Sequence, residues 1–153
     1  MTVPIDKTEL QTRIALNYRR LSTGDYYSIE DIFSPAHYDW CGDKEGRALL
    51  AFMCHYKISG RIIPCMEQML AQMHEHLNPQ GYFGPMWEYE IQEQQLSGHS
   101  WLLRGLCEHY EVFGDDFCLQ AIRRITENLY LPKQGRFSSY PIQRHLAKEG
   151  GVS

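Results

Sequence analysis

Apolar residues recur at helical spacing in four stretches of this chain, and glycine or proline interrupts each one. Leu49, Leu50, Met53 and Cys54 form one stripe, and Met66, Met69, Leu70, Met73 and Leu77 form the next. Trp101, Leu102, Gly105, Leu106 and Tyr110 form a third, and Phe117, Ala121, Ile125 and Leu129 a fourth. Such stripes bury one face of an amphipathic helix. They predict helices over 44–58, 64–77, 98–113 and 116–130, preceded by a helix over 8–21. Gly60 and Gly114 are the expected C-terminal stops, because glycine enters the left-handed region at little cost. Pro64 suits a first helical turn, where its missing N–H is harmless. Asp115 or Asp116 can cap the last helix. Short alternating Val/Ile/Thr runs bounded by Asn-Gly are missing, so the expected class is all-α. Residues 22–43, rich in Tyr, Ser, Asp and Pro, read as one long connection.

The stripes belong to an internal repeat. His55-Tyr56-Lys57-Ile58-Ser59-Gly60 aligns with His109-Tyr110-Glu111-Val112-Phe113-Gly114 at an offset of 54 residues. The same register, without a gap, sets Leu49 on Leu103, Leu77 on Leu131, and Gln80-Gly81-Tyr82-Phe83 on Gln134-Gly135-Arg136-Phe137. Each copy is a pair of helices, giving hairpins over 44–77 and 98–131. Helical hairpins of this size stack by burying one face on the next. The tail Gly150-Gly151-Val152-Ser153 stops in mid-loop, where a further inner helix is due. Residues 1–153 are therefore expected to be one N-terminal portion of a larger ring of αα-hairpins, incomplete by itself. Such a portion leaves apolar helix faces uncovered, so self-association is expected.

Composition narrows the partners. A net charge of −4 argues against non-specific nucleic-acid binding, which needs a basic face. No apolar run reaches the roughly 18–20 residues that span a bilayer. The N-terminal MTVPIDKTELQTR lacks the apolar core of a secretory signal, which makes the cytoplasm the default compartment. Five cysteines, an odd number with no C-x-x-C spacing, predict free thiols in helices and no local zinc site.

Two polar clusters stand at equivalent helix starts. Asp39-Trp40-Cys41-Gly42-Asp43-Lys44-Glu45-Gly46-Arg47 sets acids and an indole among glycines. Carboxylates beside an aromatic face suit sugar hydroxyls and ring C–H groups; acids at a helix start also serve capping and the helix dipole. The second cluster is Glu93-Gln94-Gln95-Leu96-Ser97-Gly98-His99. With Ser97 as cap, His99 falls in the first helical turn, where the positive helix end favours a neutral ring. A single histidine on an apolar helix also serves as a satisfied structural residue. Arg104, among leucines, needs a carboxylate if it is buried. His74 and His76 diverge on a helix and read as surface residues. No phosphate loop, G-x-S-x-G or H-E-x-x-H occurs.

Three motifs carry a family resemblance: W-x-G-D-x-E-G-R over Trp40 to Arg47, Q-G-Y-F-G over Gln80 to Gly84, and E-x-x-x-x-G-H over Glu93 to His99. In these the chain resembles the β-L-arabinofuranosidase family, glycoside hydrolase family 127 with its uncharacterised relatives, over about residues 10–150. The resemblance implies an (α/α)6 six-hairpin toroid with a sugar site at its inner rim, and a substrate-binding role for His99. It also implies catalysis by a glutamate and a zinc-bound cysteine cluster much later in the parent chain. No segment here matches these, so no catalytic residue is carried over and no cofactor is expected in this chain.

The expected function is then part of a glycoside hydrolase-like enzyme. It contributes Asp39, Trp40, Asp43, Glu45, Glu93, Gln94 and His99 to a carbohydrate-binding rim and is not catalytic alone. The rival is a non-enzymatic helical-repeat binding module.

Overall fold

The computed structural model describes residues 6–87 and 91–134, and among these every regular element is helical. The all-α class therefore holds. Six α-helices follow in order: α1 (Lys7–Thr23), α2 (Ile29–Ile32), α3 (Asp43–Ser59), α4 (Pro64–His76), α5 (Glu93–Phe113) and α6 (Asp116–Ile125). The expected connection over 22–43 is largely helical instead: α2 lies in it, flanked by short 3-10 segments at Asp25–Tyr27 and Pro35–Trp40. These elements are too short to show a periodicity. The Gly135–Phe137 part of the second Q-G-x-F segment, and the tail after it, lie outside the described residues.

Both expected glycine stops are present. α3 and α5 end on Gly60 and Gly114, both left-handed, with φ of 69° and 66°. Each cap N–H donates to the carbonyl of the equivalent tyrosine, Tyr56 at 2.7 Å and Tyr110 at 2.8 Å. Asp115 caps α6, its Oδ1 accepting the Phe117 N–H at 2.8 Å. α6 then loosens into a π-helical stretch over Thr126–Tyr130 before Pro132, which has no N–H to extend the ladder. The two copies differ at their starts, because α5 begins at Glu93, a full turn earlier than Ser97 would set it. Ser97 is thus inside the helix, and Gln92 takes the cap position.

α3 and α5 run side by side in the same direction. Gly98 meets Asp43, Gly46 meets Leu102, and Lys57 pairs with Glu108. Their backbones touch: a Cβ on Gly46 would lie inside the Leu102 N and Trp101 carbonyl carbon, and one on Gly98 inside the Cys41 carbonyl oxygen. Around this contact lie Leu49, Phe52, Met53, Leu102 and Leu106, all buried. α4 returns antiparallel to α3 and adds Met66, Met69 and Met73 to the same core. α6 returns along α5 with Cys118, Ala121 and Ile125 buried. Arg104, expected to need a carboxylate if buried, is exposed and needs none. No helix among the described residues is long and apolar enough to cross a membrane.

Gly46→Ala should cost about 3 kcal/mol in urea unfolding, because a methyl group must push two backbones apart. Gly60→Ala, whose Cβ meets open space, should cost only the left-handed penalty of about 1 kcal/mol. Equal losses would contradict the close approach of α3 and α5.

Candidate functional site

The starts of α3 and α5 and the end of α4 share one end of the molecule, and the segment from Asn78 to Trp87 folds over them. Asn78 organises this segment. Its Oδ1 accepts the Gln80 N–H at 3.0 Å, and its Nδ2 donates to the Gly84 carbonyl at 2.9 Å. Gln95 anchors it from α5 by donating from Nε2 to the carbonyls of Phe83 at 2.9 Å and Pro85 at 3.0 Å. The end of the second hairpin holds it from the other side: Arg124 donates to the Pro79 carbonyl and Asn128 to the Gln80 carbonyl, each at 2.6 Å.

His99 is the pin beneath it. The ring is fully buried, in the second turn of α5 rather than the first. Nδ1 lies 2.7 Å from the Gln95 carbonyl oxygen, which can only accept, so Nδ1 carries the proton. Nε2 lies 2.9 Å from the Phe83 N–H, which can only donate, so Nε2 is the bare nitrogen. Burial lowers the ring's pKa from 6.5 to about 4. Desolvation, rather than the helix end, is the main cause. With both nitrogens occupied, His99 has no polar edge to offer a ligand, so the substrate-contacting role expected of it gives way to a positioning one.

Glu45 is buried in the first turn of α3, and its Oε2 has no hydrogen-bond partner. Burial raises this carboxyl from 4.5 to about 7, opposed by hydrogen bonds from backbone at Glu45 and Gly42. The nearby Glu45 charge adds to burial in pushing the Cys41 thiol up to about 11.

The folded segment bounds a cleft of about 540 Å³, lined chiefly by Asp39, His76, Asn78, Trp87, Gln92 and Gln94. Asp39 and Gln94, both expected at the site, meet there. Trp40 and Asp43 line a smaller recess of about 220 Å³ that shares Asp39 with the cleft. Asp43 is engaged by Arg47 Nε at 2.8 Å, and that guanidinium lies 4.5 Å from the Trp101 ring. Glu45 and His99 lie outside the lining, and so does Glu93, the first residue of α5. Sequence reasoning missed Trp87, Asn78, Gln92 and the wall made by His76, whose ring stacks on Phe33 at 4.0 Å. The run Gln92-Glu93-Gln94-Gln95 was the available signal, since a glutamine-rich helix start repeats side-chain amides toward one end.

Compared with known proteins, the chain matches no family model, no curated protein and no solved structure.

His99 and Glu45 should impose opposite pH dependences on stability. His99 binds its proton less tightly folded than unfolded, so its contribution is present above about pH 6.5 and lost as pH falls toward about 4. Glu45 binds its proton more tightly folded, so its contribution is present below about pH 4.5 and lost as pH rises through about 7. Between these limits the two offset each other. Glu45→Gln removes one of them, and stability should then rise with pH more steeply than in the parent, by about 3 kcal/mol across the window. Parallel stability–pH curves from urea titrations would refute the assignment.

Proposed function

We propose that this chain binds carbohydrate in the cleft between Asp39, Asn78, Trp87 and Gln94, as part of a sugar-binding rim in an α/α-hairpin protein of the glycoside hydrolase type. The observation that carries the reading is the make-up of the cleft. One carboxylate, several side-chain amides and a half-open indole surround a space of small-ligand size. Amides and carboxylates match hydroxyl groups in both hydrogen-bonding senses, and an indole face matches the C–H face of a pyranose or furanose ring.

The helix arrangement supports the same reading. Parallel neighbours α3 and α5, each followed by an antiparallel partner, are what the inner and outer layers of an (α/α)6 toroid require. The resemblance to the β-L-arabinofuranosidase family rests on the motifs at Trp40 to Arg47, Gln80 to Gly84 and Glu93 to His99, and all three border the cleft or hold its walls. On this reading the Gly98-His99 pair positions the rim: glycine admits the Cys41 backbone, and histidine fixes the Phe83 amide. Ile58 and Val112, equivalent in the repeat and both exposed, supply apolar surface for self-association or for further hairpins.

The reading is of binding rather than hydrolysis. Glycoside cleavage usually takes two carboxyl groups flanking the bond, and Asp39 is the one carboxylate in the lining among the described residues. A non-enzymatic module would use the cleft in the same way, and the two differ only in whether hydrolysis accompanies binding.

A neutral oligosaccharide selected on a glycan array should bind the chain in calorimetry. Trp87→Ala and Gln94→Ala should each weaken binding at least about tenfold, the cost of one lost stacking face or of a hydrogen-bonding side chain. Absence of any glycan ligand, or affinity unchanged in both variants, would overturn the proposal.

A further inference from the structure

At the opposite end of α5 a second group of side chains converges, apart from the cleft. His109 stands in the last full turn of the helix. The Gly114 turn follows, and Asp115 and Cys118 stand at the cap and first turn of α6. The Cys118 Sγ lies 3.3 Å from His109 Nδ1, and Asp115 Oδ2 lies 4.0 Å from the same nitrogen. All three ligand atoms fall within 4.8 Å of one another.

We propose that His109 Nδ1, Asp115 Oδ2 and Cys118 Sγ form a binding site for a divalent transition metal of the zinc type. Around tetrahedral zinc, with bonds of about 2.0–2.3 Å, neighbouring donor atoms stand about 3.3–3.6 Å apart. The separations from His109 Nδ1, 3.3 and 4.0 Å, lie near this range, and the Asp115–Cys118 pair, within 4.8 Å, closes to it by a side-chain shift of up to about 1 Å. A thiolate, an imidazole and a carboxylate form a donor set that suits zinc or cobalt and excludes magnesium and calcium, which take oxygen ligands.

Two features favour a built site. The carboxylate is held: Asp115 Oδ1 accepts the Phe117 N–H as a helix cap, which turns Oδ2 toward His109. His109 and Asp115 also line a recess of about 430 Å³, shared with Glu67, Leu70, His74 and Phe117, from which solvent or a small ligand could reach a bound ion. The repeat supplies the control. In the first hairpin His55 occupies the place of His109, but Arg61 and Pro64 stand where Asp115 and Cys118 stand in the second. There His55 Nδ1 takes Asn17 Nδ2 as its partner at 3.1 Å. The first corner therefore forms with neither an acid nor a thiol at these places; in the second, Asp115 uses one carboxylate oxygen for the helix cap and sets the other beside His109 and Cys118.

Burial holds the His109 ring below its usual pKa, against the pull of Asp115, which keeps it in the neutral form that coordinates. Before binding, Cys118 is a thiol, pushed up to about 12 chiefly by burial. As the metal–sulfur bond forms, the thiol proton leaves to solvent, so binding should release a proton and strengthen with pH.

The test is titration of the reduced chain with Co²⁺ in a background where the exposed Cys54 and Cys107 are serine. One equivalent should give tetrahedral d–d bands and a thiolate-to-cobalt charge-transfer band, both removed by Zn²⁺. Cys118→Ala should abolish the charge-transfer band. Asp115→Asn, which keeps the helix cap, should lower affinity at least tenfold with the circular dichroism spectrum unchanged. Absence of the bands in the parent, or affinity unchanged in Asp115→Asn, would overturn the site, as would a charge-transfer band that survives Cys118→Ala.

Discussion

The close contact of α3 and α5 at Gly46 is the constraint on which the rest of the structure depends. Helix axes ordinarily stand 8–10 Å apart because side chains fill the space between them. Here the Gly46 backbone lies directly against Trp101 and Leu102, and Gly105 returns the contact against the Gly46 carbonyl oxygen and Leu49. The core residues on either side then interlock at short range. Lys57 with Glu108, and Arg47 over Trp101, close the two edges of the pair.

The candidate site inherits its geometry from that contact. With α3 and α5 fixed, Gly98 lets the Cys41 backbone sit on α5, and Gly84 packs against the Cys41 side chain. His99 and Gln95, one turn apart on α5, reach outward to the Phe83 and Pro85 backbone. The cleft wall is thus held from within by Asn78 and from outside by side chains on α5 and at the end of the second hairpin. A neutral His99 is essential to this: protonation would set two N–H groups against each other at Nε2 and Phe83. The other end of α5 is organised differently. There the Gly114 corner, rather than a loop, brings His109, Asp115 and Cys118 together.

Much of the fold was legible because it is local. The Gly60 and Gly114 stops, Pro64 in a first turn, the Asp115 cap and the methionine stripe of α4 each follow from backbone geometry or helical spacing. The site was legible only in part, because its contacts are not local. Ser97-Gly98 reads as a cap followed by a helix start. The glycine is instead needed for the Cys41 carbonyl, a neighbour far away in sequence, and the glutamines before it extend the helix by a turn. The same error of one turn placed His99 at the rim rather than beneath it. Nothing in its spacing announces that Phe83, sixteen residues earlier, uses its second nitrogen. Trp87 and Asn78 entered the cleft through a turn that has no periodicity. The His109, Asp115 and Cys118 group crosses a helical corner at spacings that match no common ligand motif, so it is visible only in three dimensions.

The most direct measurement of the central claim is a nuclear Overhauser contact across the helix pair. If the two backbones touch, the Gly46 α-protons will show strong cross-peaks to the Leu102 amide and α-protons in an isotope-labelled sample. Absence of those cross-peaks, with contacts from Gly46 confined to its own helix, would contradict the account.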